Sequence, residues 1–96
     1  IKEKMNIMTL LFGWDWKVRK MRKKWDRLRE KTLKEKDPLR ERLLKKLDNI
    51  ENNLRILEEQ KLGRVDRARI TKTVEIELEE AAAMLEEGKA EEGVYR

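Results

Sequence analysis

Few residues in this chain are equipped for covalent or acid–base chemistry. The hydroxyls are Thr9, Thr32, Thr71, Thr73 and Tyr95, and the sequence contains no His, no Cys and no Ser. A hydroxyl nucleophile needs a neighbouring base, and the imidazole tuned near neutral pH is missing. Disulfides, thiolate chemistry and His or Cys metal sites are excluded on the same ground. Lys or carboxylate chemistry needs a buried pocket, which a chain with 47% charged residues is poorly suited to build. Gly13, Gly63, Gly88 and Gly93 are scattered and form no phosphate-cradling loop. The expectation is a non-enzymatic protein that works by binding and assembly, with no cofactor and no metal.

What remains is charge and tryptophan. Trp14, Trp16 and Trp25 stand among the cations of Lys17 to Lys24. Trp favours the polar–apolar boundary of a bilayer, and Lys and Arg are drawn to anionic headgroups. The residues expected to touch a membrane or another anionic partner are Phe12, Trp14, Trp16, Lys17, Arg19, Lys20, Arg22, Lys23, Lys24 and Arg27. The bland alternative makes the tryptophans packing knobs and the charges a solvated face. Trp25 fits that alternative best, because it lies on an apolar stripe. Nucleic acid is a further candidate, since Lys17 to Lys31 sets nine cations against Asp26 and Glu30. Trp can stack on unpaired bases, but few Asn or Gln are present to read base edges.

The charge is unevenly spread. The chain carries +5 overall; residues 1–50 hold +9 and residues 51–96 hold −4. Glu75, Glu77, Glu79, Glu80, Glu86, Glu87, Glu91 and Glu92 form the acidic pole. Their ordinary reading is a wet helix face; pairing with the basic helix of another copy is the alternative. Metal binding there has no defined ligand spacing.

Helices must position these residues, because the apolar residues recur at three- and four-residue steps. Residues 1–13 read as a short amphipathic lead segment ending at Gly13. A basic helix is expected over 14–35, with Val18, Met21, Trp25 and Leu28 as its stripe. Asp37-Pro38 breaks the chain, with Asp37 as N-cap and Pro38 at the first helical position. A second helix follows over 38–61, roughly 36 Å long. Its seam is Leu39, Leu43, Leu47, Ile50, Leu54 and Leu57, widened by Leu44 and Ile56. Gly63 is the expected left-handed stop. The third helix is expected over 65–87, with Ile70, Val74, Leu78, Ala81 and Leu85 as its seam and Gly88 as its end. Thr71 to Leu78 alternates polar and apolar as a strand would, but length and flanking spacing favour helix. The short link at Gly63 makes helices two and three antiparallel neighbours. The fold expected is therefore all-α: an antiparallel, coiled-coil-like helical hairpin preceded by a basic helix, in a single domain over 14–96.

Several stretches together resemble the N-terminal helical core of ESCRT-III-type proteins, especially the archaeal cell-division members. Leu10-Leu11-Phe12-Gly13-Trp14 is a short apolar start before a basic helix. Lys24-Trp25-Asp26-Arg27 leads to Lys36-Asp37-Pro38-Leu39-Arg40-Glu41-Arg42, similar to the Pro-Leu-Arg stretch that opens a long core helix in that family. Leu47 to Leu54 continues in the same manner, and a basic turn at Arg64 to Arg69 precedes an acidic helix. The resemblance spans about residues 10–96. The family's C-terminal interaction motif does not appear, and the interval from Asp66 to Gly88 is longer than the family leads one to expect. The resemblance implies a hairpin that polymerises on membranes with its basic helix toward lipid.

No apolar run approaches the roughly 20 residues of a membrane span. The expected partners are a second copy of the chain and an anionic membrane surface, with nucleic acid or another protein as alternatives. The Cys-free, Lys/Glu/Arg-rich composition with a single Gln suggests a thermophile. It also fits a reducing cytoplasm, with the chain peripheral to the membrane. Met5 is a candidate natural start. The tail from Lys89 to Arg96 reads either as docked on the hairpin or as leading into a longer protein.

Overall fold

In the computed structural model, the backbone is described over residues 2–94 and the side chains over residues 16–89. Three helices account for it: α1 (Lys2–Leu33), α2 (Leu39–Glu59) and α3 (Arg64–Val94), and every pair of them is in contact. Two short links fold the chain up, down and up again. α1 and α3 are therefore parallel, and α2 is antiparallel to both. The result is a rod measuring 62 × 19 × 17 Å. The basic helix does not merely precede a hairpin; it is the third wall of the bundle.

The seams explain why the rod closes. Val18, Met21, Trp25 and Leu28 of α1 are buried, as are Leu43, Leu47, Ile50, Leu54 and Leu57 of α2 and Val74, Leu78, Ala81 and Leu85 of α3. Each fully buried aliphatic side chain stabilises the bundle by about 1.5–3 kcal/mol. Leu39 and Ile70 are half-buried at the margin of this core. Thr32 and Thr71 extend the buried stripes of α1 and α3. Counting from Val74, Thr71 keeps the three–four rhythm, so it takes the inner position expected of Ile70. Thr71 to Leu78 is helical throughout, and its alternation has no structural consequence.

Several expected boundaries are corrected. α1 runs unbroken through Gly13, so residues 2–13 are the first turns of the basic helix rather than a separate segment. A helical Gly costs only about 1 kcal/mol, which the surrounding strong helix formers outweigh. Asp37 is not the N-cap of α2. Pro38 takes that place without a side-chain cap, and the Asp37 carboxylate instead accepts from Arg40 at 3.2 Å. The helix therefore opens at Leu39, not Pro38.

Gly63 does not end α2 in a left-handed turn, since no described glycine has positive φ. α2 ends at Glu59, with Gln60 extended at φ −100° and ψ 145°. The Gly63 carbonyl accepts from Arg67 N–H at 2.9 Å, which makes Gly63 the opening residue of α3. Gly is favoured at both kinds of helix end, so its type alone left the role open.

Gly88 does not end α3 either. The helix continues to Val94, and the Gly88 backbone lies against Leu39: a Cβ built there would meet Leu39 Cγ at 3.1 Å and Cδ1 at 2.9 Å. This glycine serves close approach of two helices, not termination. Tyr95 and Arg96 lie outside the described residues.

A cationic face and the groove beside it

α1 carries the candidate site. Steps of four, three and four put Trp16, Lys20, Lys23 and Arg27 on one face, opposite the buried stripe. All four are exposed, Trp16 at 64%. Lys20 Nζ stands 4.8 Å from the centre of the Trp16 ring, a cation–π contact that holds the aromatic and the charge side by side. Lys31 and Lys34 prolong the row, which runs about 27 Å from Trp16. Lys23, Arg27, Lys31 and Lys34 have no ion-pair partner among the described residues.

The other expected contact residues divide differently. Arg22 is turned inward. It donates to both oxygens of Glu58, through Nε at 3.1 Å and Nη2 at 2.6 Å, and lies 3.5 Å from Glu51. The Glu58 hydrogen bonds push the Arg22 pKa up, against partial burial and with further help from Glu58, Glu51 and Asp26 charge. Arg22 thus fastens α1 to α2 and is committed within the chain. Lys17 pairs with Glu75 at 2.9 Å across α1 and α3. Arg19 is exposed. The side chains of Phe12 and Trp14 lie outside the described residues.

Trp25 belongs to the core, as its place on the stripe suggested. Its indole N–H donates to the Leu47 carbonyl at 2.7 Å, and the Arg22 guanidinium lies 5.1 Å from its ring.

A groove of about 490 Å³ opens between α1 and α3. Trp16 forms a wall, Met21 and Leu78 form the floor, and Lys17, Lys20, Lys24, Glu75 and Glu79 surround it. Leu78 and Glu79 were not among the expected contact residues. They come from a helix far away in sequence, and no local pattern announces the pairing.

The acidic helix is partly neutralised by its own chain. Besides Lys17–Glu75, Lys46 lies 3.9 Å from Glu80, and Asn53 donates to Glu77 at 3.2 Å. The basic and acidic halves of the sequence therefore lie side by side rather than at opposite ends of the rod. Among the described residues, no three carboxylates converge on a point where a metal would sit. No described helix is long and apolar enough to cross a membrane. Compared with known protein families, with curated proteins and with solved structures, the chain finds no match.

Proposed function

We propose that this chain is a non-enzymatic helical module that docks on anionic membrane surfaces through the outer face of α1 and assembles with copies of itself. The observation that carries the reading is the exposed Trp16 ring on the same face as a row of exposed cations, Lys23, Arg27, Lys31 and Lys34, that have no ion-pair partner among the described residues. Each Lys or Arg near an anionic surface contributes about 1 kcal/mol. Lys20, Lys23, Arg27, Lys31 and Lys34 together supply on the order of 5 kcal/mol, enough for sub-millimolar binding of one copy. Assembly multiplies so weak a contact, because linked copies raise one another's effective concentration. An ESCRT-III-like scaffold of the archaeal cell-division type is the family form of this proposal.

The test is co-sedimentation with vesicles containing anionic lipid, against zwitterionic vesicles. Binding to the anionic vesicles only is expected, with a blue shift of tryptophan emission. Lys23→Glu with Arg27→Glu should lower it by about two to three orders of magnitude, since each reversal replaces attraction by repulsion. Salt-sensitive binding to DNA or RNA without any vesicle effect would point to a nucleic-acid partner instead.

A further inference from the structure

We infer that the outer face of α3 is a self-complementary surface on which a second copy of the chain docks antiparallel, forming a twofold dimer. From Val65, steps of three and four bring Arg69, Lys72, Ile76, Glu80, Ala83 and Glu87 to the side of α3 opposite its buried seam. All of them are exposed, Val65 at 79% and Ile76 at 49%, so this face offers apolar surface that its own chain leaves uncovered. The spacing reads the same in both directions from Ile76, but the charges do not. Cations stand four and seven residues before it, and carboxylates four and eleven after it. Little of this charge is engaged within the chain. Lys72 and Glu87 have no ion-pair partner among the described residues. Arg69 reaches only the exposed Asp66, at 3.4 Å, and Glu80 lies 3.9 Å from Lys46.

That arrangement selects both the occupant and its direction. A twofold axis at Ile76 sets this residue against its own copy, Lys72 of each chain against Glu80 of the other, and Arg69 between Glu80 and Glu87 of the other. Parallel pairing would set Lys on Lys and Glu on Glu. The cation row of α1 fits this face poorly, because Arg69 and Lys72 would repel it. α2 exposes no large apolar side chain among the described residues. The axis is perpendicular to the paired helices, so both α1 helices lie on the same side of the dimer and their cation rows look the same way. Two rows on one surface reinforce each other's hold on an anionic membrane. The dimer is the first contact of the self-assembly proposed above and rests on that reading.

The experiment is sedimentation equilibrium of the full chain from roughly 10 µM to roughly 1 mM, the span expected of a small interface. A monomer–dimer equilibrium is expected. Ile76→Glu, Lys72→Glu and Glu80→Lys should each weaken it by about tenfold or more, since like charges then face each other. An equimolar mixture of the Lys72→Glu and Glu80→Lys variants should recover it as a one-to-one heterodimer, which a role inside the bundle cannot produce. The chain has no Cys, so single Cys substitutions report direction. Under oxidised glutathione Ile76→Cys should give a disulfide-linked dimer and Val65→Cys should not, because antiparallel docking holds the two copies of position 65 roughly 33 Å apart. All these positions are at the surface, and helicity by circular dichroism checks that each variant folds. A monomer throughout, open-ended oligomers, no recovery on mixing, or crosslinking through Val65→Cys would overturn the dimer. Association that Ile76→Glu leaves unchanged defeats this face and leaves self-assembly standing. Vesicle binding is measured in parallel: dimers without it defeat the membrane reading alone, and vesicle binding by a chain that stays monomeric in solution defeats the dimer alone.

Discussion

Substituting Gly88 tests the packing of α3 against the start of α2. In an open helix, Gly→Ala stabilises by about 1 kcal/mol, because Gly loses more backbone freedom on folding. Here an added Cβ would clash with Leu39 Cδ2, with Cδ1 and Cγ also closer than ordinary contact. Leu39 must swing aside or α3 must shift, and such overpacking costs about 1–3 kcal/mol. Gly88→Ala alone should therefore be neutral or destabilising by up to ~2 kcal/mol. In a Leu39→Ala background the obstruction is gone, and the same substitution should stabilise by about 1 kcal/mol. Urea denaturation followed by circular dichroism on the four proteins of the cycle measures the coupling, expected at about 1–3 kcal/mol. Thermal midpoints should move by about 4–8 °C per kcal/mol. The same gain in both backgrounds, with coupling below about 0.3 kcal/mol, would refute the contact.

Other perturbations probe the core and the charges. Leu54 is fully buried, so Leu54→Asp should abolish cooperative helical unfolding; unchanged circular dichroism and sedimentation would show that it is not a seam residue. Trp25→Phe loses the 2.7 Å bond to the Leu47 carbonyl and some packing, and urea midpoints should report a cost of about 1–2 kcal/mol. Thr71 Oγ1 is buried with no hydrogen-bond partner among the described residues, so Thr71→Val should stabilise by about 1 kcal/mol. Thr32→Val is the control and should give no such gain, because Thr32 Oγ1 donates to the Leu28 carbonyl at 2.7 Å. The chain has no His or Cys, and the raised Arg22 pKa keeps its contribution intact until pH climbs beyond the guanidinium's unfolded value. Stability should therefore be flat between about pH 6 and 9, and a slope there in chemical denaturation would contradict that.

The seams were legible because leucine spacing is a direct record of helix faces. Leu43 to Leu57 and Val18 to Leu28 occupy the inner positions that their steps of three and four required. Trp25 could be separated from the other tryptophans by the same arithmetic. Hydroxyl residues carry no such signal. Thr32 and Thr71 are buried, and reading only apolar types placed the start of the α3 seam at Ile70. Glycine was ambiguous in principle, since an opener, a stop and a close approach all favour the missing side chain. The concentration of cations on α1 was legible, but which of them stay exposed and which are committed within the chain was not. Whether Arg22 faces water or Glu58 depends on a helix 36 positions away. The groove likewise exists only once α1 and α3 lie side by side.

The ion pairs of this bundle sit at its rim, around a centre made almost entirely of hydrocarbon. Concentrated salt acts on these two layers in opposite senses. At 1 M the reach of a surface charge shrinks to about 3 Å, while strongly hydrated anions such as sulfate reinforce apolar burial. On the proposed reading, ionic strength acts mainly on adhesion, and a chain held on an anionic surface should be released by salt with its helical bundle still folded, a result that circular dichroism of the eluted protein checks.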